Sequence, residues 1–274
     1  MTVARIDARF AALAREGRAA FIPYVMAGDP DAATALEILR GLPGAGADII
    51  ELGFPFSDPM AEGPPIQRAA QRALAAGMTL RGTLDLVARF RRGDQNTPLI
   101  LMGYLNPLLT HGFERFAKDA GEAGVDGLIV VDCPPEESDP LADALDTAGI
   151  ALIRLTTPTT DDARLVTVAR RTKGFVYYVS VAGVTGVKEA DADAVAPAVI
   201  RMRKATGLPV AVGFGIKTPE RAAEIARVAD AAVVGSVLVD QIADGLSANE
   251  NVTSKVLETA AGLAKAVRSA REQV

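Results

Sequence analysis

The sequence reads as an α/β protein, a (β/α)8 TIM barrel with an extra N-terminal helix and extra helices in its loops. Eight short apolar runs, continuous rather than alternating, mark strands buried on both faces, the pattern of a parallel sheet. Amphipathic stretches of helical period separate them, so the chain repeats a right-handed βα unit. The runs start mostly ~25–30 residues apart, about one unit each. A chain of 274 residues is an ordinary length for one such barrel. An open doubly wound sheet would carry a glycine fingerprint directly after its first strand; here the first strand runs into Ala27-Gly28-Asp29-Pro30.

The N-terminus places Ile6, Phe10 and Leu13 at helical spacing between Arg5, Asp7, Arg9 and Arg15. That predicts an amphipathic helix covering one end of the fold. It lacks the continuous apolar stretch of a secretory signal, and Asp7 and Glu16 count against a transit peptide. The strands are expected at residues 21–27, 48–52, 98–102, 127–131, 150–155, 175–179, 208–212 and 231–234. Helices are expected at 32–42, with Ala35, Leu36, Ile38 and Leu39 on one side, and at 80–90, with Leu84, Val87 and Ala88. A further helix at 220–228 carries Ala222, Ile225 and Ala226 and follows Thr218, a fitting N-cap, and Pro219. The polar stretch 244–251 precedes a terminal helix carrying Val252, Val256, Leu257, Leu263 and Val267. No linker divides the chain, so residues 1–274 are expected to form a single barrel domain.

Two loops are long. Residues 53–65 follow the second strand and are rich in Pro and Phe; residues 180–187 follow the sixth and are rich in Gly and small residues, as a lid would be. Both leave strand C-termini, the side on which barrels build active sites.

Composition narrows the function. Hydrophobic residues make up 49% and charged residues 23%, enough for a sizeable core. The net charge is −5 with basic residues scattered, which argues against nucleic acid or an anionic membrane as partner. No apolar run approaches the ~18–20 residues needed to span a bilayer. The single cysteine, Cys133, excludes an intramolecular disulfide and fits a reducing cytoplasm. With one histidine, His111, a soft-metal site is hard to assemble.

Glu51 ends the second strand among Ile49, Ile50, Leu52, Phe54 and Phe56. A carboxylate there is expected to be desolvated and its pKa raised toward acid/base use; the alternative is a structural carboxylate bonded to loop backbone. Glu62 supplies a second carboxylate, although a loop glutamate is more often solvated and idle. Glycine turns after strands six, seven and eight (Gly183 to Gly186, Gly213 to Gly215, and Gly235-Ser236) suit backbone amides gripping a phosphate. Tyr104, Tyr177 and Phe214 could line an aromatic pocket or simply belong to the core. Asp29 and Asp132, at strand ends, could act directly or orient loops. Lys217 could form a Schiff base, but its place before Thr218-Pro219 suits a solvated loop.

The run Glu51-Leu-Gly-Phe-Pro-Phe-Ser-Asp-Pro-Met-Ala-Glu-Gly-Pro64 resembles the signature of tryptophan synthase α chains. Supporting segments are Phe21-Ile-Pro-Tyr-Val-Met-Ala-Gly-Asp-Pro30, Met102-Gly-Tyr-Leu-Asn-Pro107, Val130-Val-Asp-Cys-Pro134 and Tyr178-Val-Ser-Val-Ala-Gly-Val-Thr-Gly186, so the likeness extends from about Phe21 to Ser236. The resemblance implies cleavage of indole-3-glycerol phosphate to indole and glyceraldehyde 3-phosphate. It implies that Glu51 is the general acid/base and that Glu62, where the family usually has aspartate, accepts the indole N–H. It further implies phosphate contacts at Gly186, Phe214, Gly215, Gly235 and Ser236, a pocket tyrosine at Tyr177 and a lid threonine at Thr185. Tyr104 is expected to touch substrate as well. Val181 stands where the family often has arginine, and Met26 and Gly103 also differ from the usual side chains. The resemblance implies an α2β2 complex whose β subunit carries pyridoxal phosphate, with no cofactor in this chain. Phe54, Pro55, Phe56 and Pro59 are expected either to form an apolar loop against that partner or to pack the pocket floor. Two alternatives remain open: another phosphate-binding barrel enzyme, such as an isomerase or a Lys217 Schiff-base aldolase, and a barrel kept only as a regulatory subunit.

Overall fold

The computed structural model describes residues 4–180, 192–213 and 215–272. Eight parallel strands close on themselves in chain order: β1 Ala20–Met26, β2 Ile50–Gly53, β3 Leu99–Gly103, β4 Gly127–Val130, β5 Ala151–Thr156, β6 Val176–Val179, β7 Val210–Gly213 and β8 Ala231–Val234. β1 pairs with both β2 and β8, which completes the ring. Nearly every strand residue is buried. A barrel strand faces packed side chains on the inside and helices on the outside, which is why the runs are continuous.

Two strands begin two residues later than the apolar runs suggest. Residues 48 and 49 precede β2, and 208 and 209 precede β7. Asp48 is an anchor rather than a strand residue. It is buried, accepts from the Phe21 N–H at 2.8 Å, and pairs with Arg9 and Arg18. Asp126, just before β4, repeats the device: it takes Leu99 N–H at 2.8 Å, Arg91 at 2.7 Å and Arg5 at 2.7 Å. Both carboxylates stitch α1 (Ala4–Arg15) to the N-terminal end of the barrel. The same helix plugs that end with Ile6, Phe10 and Leu13. The Phe10 ring lies 5.7 Å from that of Phe175, and a Cβ built on Gly127 would touch Ile6 at 3.3 Å.

α2 (Ala32–Gly41) buries the four residues expected of it, capped by Asp31. The long β2–β3 interval holds two helices, α3 (Pro64–Ala75) and α4 (Leu80–Arg91). α3 turns Ile66, Ala69, Ala70 and Ala73 inward and starts with two prolines, which cannot supply helical N–H donors and need none there. After β3 come α5 (Leu105–His111) and α6 (Phe113–Ala123); α7 (Asp139–Ala148), α8 (Asp162–Ala169) and α9 (Ala192–Thr206) follow β4, β5 and β6. α10 (Pro219–Val228) is capped as anticipated, the Thr218 side chain accepting from Arg221 N–H. Thr218→Ala is expected to cost ~1 kcal/mol of stability, read as a lower urea midpoint at unchanged m-value.

The polar stretch 244–251 is not a loop throughout. α11 runs Ser236–Ala248; Asn249, at φ 54°, ends it in the left-handed region, and Asn251 caps α12 (Val252–Ser269). Amphipathic helices carry polar faces, so polarity alone did not mark an end. No helix among the described residues is long and apolar enough to cross a membrane.

Candidate active site

Register brings the first two functional elements together: Tyr24 of β1 lies opposite Glu51 of β2. Glu51 is 1% exposed and its Oε2 has no hydrogen-bond partner. Burial and the neighbouring charge of Glu62 push its pKa up to about 8. An orphan carboxyl oxygen in an apolar wall holds its proton, because desolvation penalises the charged form.

Glu62 departs from the idle loop glutamate expected from its position. It is 6% exposed, and burial raises its pKa to about 7. A turn from Pro59 O to Glu62 N (3.0 Å) and a bond from Gln67 Nε2 to Glu62 O (2.9 Å) fix its backbone just before α3. Both glutamates line one pocket with about 470 Å³ of atom-free space, together with Tyr177, Gly215, Gly235 and Ser236. Gly235 precedes α11 without any side-chain cap, so the first amides of that helix are open at the pocket wall beside the Ser236 hydroxyl. An uncapped helix N-terminus attracts an anion. Gly215 sits at φ 76°, which an L side chain adopts only with strain.

The sequence reasoning missed five other lining residues, Tyr24, Ile66, Met102, Ile216 and Val233. Four are apolar, and nothing distinguishes a pocket-lining apolar residue from a core one in sequence. Tyr24 carried a signal in its neighbours. Its hydroxyl stands 2.2 Å from where a Cβ on Gly53 would lie, and the Tyr177 hydroxyl stands at the same 2.2 Å over Gly213. A glycine at the end of β2 and another at the end of β7 therefore each give room to a buried tyrosine. Burial and the two glutamates raise both phenols well above the ordinary range. Gly213→Ala is expected to displace the Tyr177 ring at a cost of about 1–3 kcal/mol, seen as a lower Tm together with a raised KM.

Other candidates fall elsewhere. Tyr104 does not line the pocket. It stands beneath the 53–63 loop, where its hydroxyl accepts from Ala61 N–H at 3.0 Å and its ring lies 5.3 Å from that of Phe56. Phe54 and Pro55 are buried, the Phe54 ring filling the space that a Cβ on Gly103 would need. Phe56 and Pro59 are half-buried and Met60 is 70% exposed, so the loop packs inward at its start and faces outward only at its tip. Asp29 is fully buried in a two-pronged pair with Arg72 at 2.7 and 2.8 Å, and Asp132 accepts from Leu105 N–H at 2.8 Å; both orient loops. Lys217 is exposed and lines no wall of the pocket. Thr185, Gly186, Phe214 and Val181 lie outside the described residues. Among the described residues no cluster of His, Cys, Asp or Glu could hold a metal ion.

A family model described as tryptophan synthase alpha chain matches residues 10–268. A tryptophan synthase alpha chain of Phenylobacterium zucineum is 77% identical over 271 residues, spanning 99% of this chain and 98% of that protein. One from Caulobacter vibrioides is 74% identical over the same share of each chain. Among solved structures, tryptophan synthase subunit alpha from Legionella pneumophila superposes with a TM-score of 0.90 at 39% identity, covering 96% of this chain and 98% of that one. A chain of Mycobacterium tuberculosis tryptophan synthase gives 0.88 at 34% identity over 96% and 98%.

Proposed function

The chain belongs to the tryptophan synthase alpha chain family, and from that premise we propose how its residues perform the family's reaction. The enzyme is a lyase of tryptophan biosynthesis that cleaves indole-3-glycerol phosphate to indole and glyceraldehyde 3-phosphate. Residues 1–274 act as one barrel domain.

Glu51 starts protonated, as a pKa of about 8 requires at neutral pH. It gives its proton to indole C3, which makes the ring a leaving group. The carboxylate so formed takes the proton of the substrate hydroxyl as the C–C bond breaks and the aldehyde forms, and Glu51 ends protonated again. Protonation at C3 leaves positive charge on the indolenine nitrogen. Glu62, ionised above a pKa of about 7, accepts that N–H and stabilises the charge in a water-poor pocket. The amides at Gly215 and Gly235, the Ser236 hydroxyl, and Gly186 and Phe214 hold the phosphate. Tyr177 packs the reacting chain, Thr185 closes the lid, and Tyr104 acts by holding the Glu62 loop.

The observation that carries this reading is that two nearly buried glutamates share one pocket with an uncapped helix N-terminus. No observation favours a Lys217 Schiff base, since that side chain is exposed and away from the pocket. The test is indole release from indole-3-glycerol phosphate. Glu62→Asp keeps substantial activity because the charge remains, whereas Glu62→Ala loses roughly 10²–10³-fold in kcat. Equal turnover of the two variants would remove Glu62 from the mechanism.

A β chain is the partner that membership of this family implies. We infer an α2β2 assembly in the cytoplasm, with pyridoxal phosphate held by the β chain and indole passed to it. Met60 and the half-buried Phe56 and Pro59, at the tip of the 53–63 loop, are the apolar surface offered to that chain. Docking there would move the Glu62 backbone, so adding the β chain should raise turnover here; identical rates with and without it count against the coupling.

A further inference from the structure

Three buried side-chain atoms among the described residues lack a hydrogen-bond partner: Glu51 Oε2, Arg154 Nε and Arg221 Nη2. The first belongs to the active site, and Arg221 is ion-paired with Glu224. Arg154, on β5, is different. It is 7% exposed, and among the described residues it forms no ion pair with a carboxylate. Its Nη2 donates to the Ser138 hydroxyl, which in turn donates to Pro135 O at 2.8 Å. The hydroxyl at the N-cap of α7 is thereby turned away from capping. A buried guanidinium beside the positive end of a helix is unfavourable unless an anion joins them.

The surrounding charges do not supply one. The Cys133 thiol acts most strongly on Arg154, but burial raises its pKa and keeps it neutral; Asp139, next in effect, is already bound to Arg170 and Arg171, and those two cations repel Arg154. Asp132 accepts from Leu105 N–H. Arg154 lines a cleft with about 920 Å³ of atom-free space, open to solvent, beside Asp132, Cys133, Pro134, Ser138 and Thr157. This cleft shares no lining residue with the glutamate pocket.

We propose that the cleft between the β4 and β5 loops is a second oxyanion site, in which Arg154, positioned by Ser138, binds the phosphate or carboxylate of a small molecule. A planar guanidinium whose Nε–H lacks a partner matches the spaced oxygens of a carboxylate or phosphate better than a single spherical halide.

The chain's single cysteine makes the site observable. Cys133 lines the cleft and is half-buried. Its alkylation by neutral iodoacetamide is followed by mass spectrometry in inorganic phosphate, in acetate, and in chloride at matched ionic strength. Phosphate is expected to slow the modification several-fold relative to chloride. Acetate slowing it as strongly identifies the carboxylate as the ligand chemistry; phosphate acting alone identifies phosphate. In Arg154→Met the anion effect is expected to vanish while indole release persists. Equal rates in all three salts for the unmodified protein overturn the proposal without recourse to any variant. Undiminished protection in a folded Arg154→Met protein also overturns it, by placing the effect at the phosphate end of the active site. Ser138→Ala, a milder change, is expected to weaken protection without abolishing it.

Discussion

Glu51→Gln is expected to lower kcat for indole release by roughly 10²–10⁴-fold while leaving affinity for indole-3-glycerol phosphate close to that of the parent. The amide keeps the shape of the carboxylic acid, so the pocket of Tyr24, Met102, Tyr177 and Ile216 around it is preserved. It can neither deliver a proton to C3 nor take one from the hydroxyl. The proposed phosphate contacts, at Gly235 and Ser236, do not involve Glu51. A loss of this size in kcat with substrate binding intact is the signature of an interaction made only in the transition state. Single-turnover indole release and equilibrium titration with substrate separate the two quantities. Turnover within a few-fold of the parent would eliminate Glu51 as the acid/base. Loss of binding in step with turnover would make it a structural carboxylate instead.

The placement of Glu51 was legible because it is a local fact: an acidic residue at the end of an apolar strand has nowhere solvated to go. The state of Glu62 was not legible from its own neighbourhood. Ser57, Asp58, Met60 and Ala61 around it are exposed in the fold, and only the turn back from Pro59 and the grip of Gln67 direct its side chain inward. Those contacts join residues of a loop to α3, and composition does not record them. The place of Gly215, Gly235 and Ser236 at the pocket was legible in outline from the glycine turns after the last two strands. The missing side-chain cap on α11, on which the proposed phosphate contact relies, depends on the geometry at Gly235. The barrel itself was legible strand by strand through continuous apolar runs. Strand starts were misplaced at Asp48 and Leu208, because a buried anchor or half-buried approach residue is as apolar in surroundings as the strand it precedes.

The second large effect follows from the same two carboxyls and concerns stability rather than turnover. Their folded-state pKa values, about 8 for Glu51 and about 7 for Glu62, lie above the ordinary value of 4.5 that they regain on unfolding. Below pH 4.5 both states hold the protons and the pair costs nothing. Between 4.5 and 8 the folded protein binds more protons than the unfolded chain, so stability falls as pH rises; above 8 the full penalty is present. Gln at both positions removes the ionisation, so the double variant is expected to exceed the parent in stability by a few kcal/mol at pH 9 and by nothing from this source at pH 4. Urea unfolding of the two proteins across that range measures it, and a difference independent of pH would refute the shared burial of the pair. The catalytic counterpart is a narrow window. The proposed mechanism needs Glu62 ionised and Glu51 protonated, so kcat/KM should peak between the two apparent pKa values, about 7 and about 8, which belong to the interacting pair. The charge on Glu62 is one of the causes that hold the proton on Glu51, so Glu62→Gln should move the alkaline limb to lower pH. Burial that destabilises the fold above neutrality is thus the same burial that keeps an acid protonated where the reaction requires one.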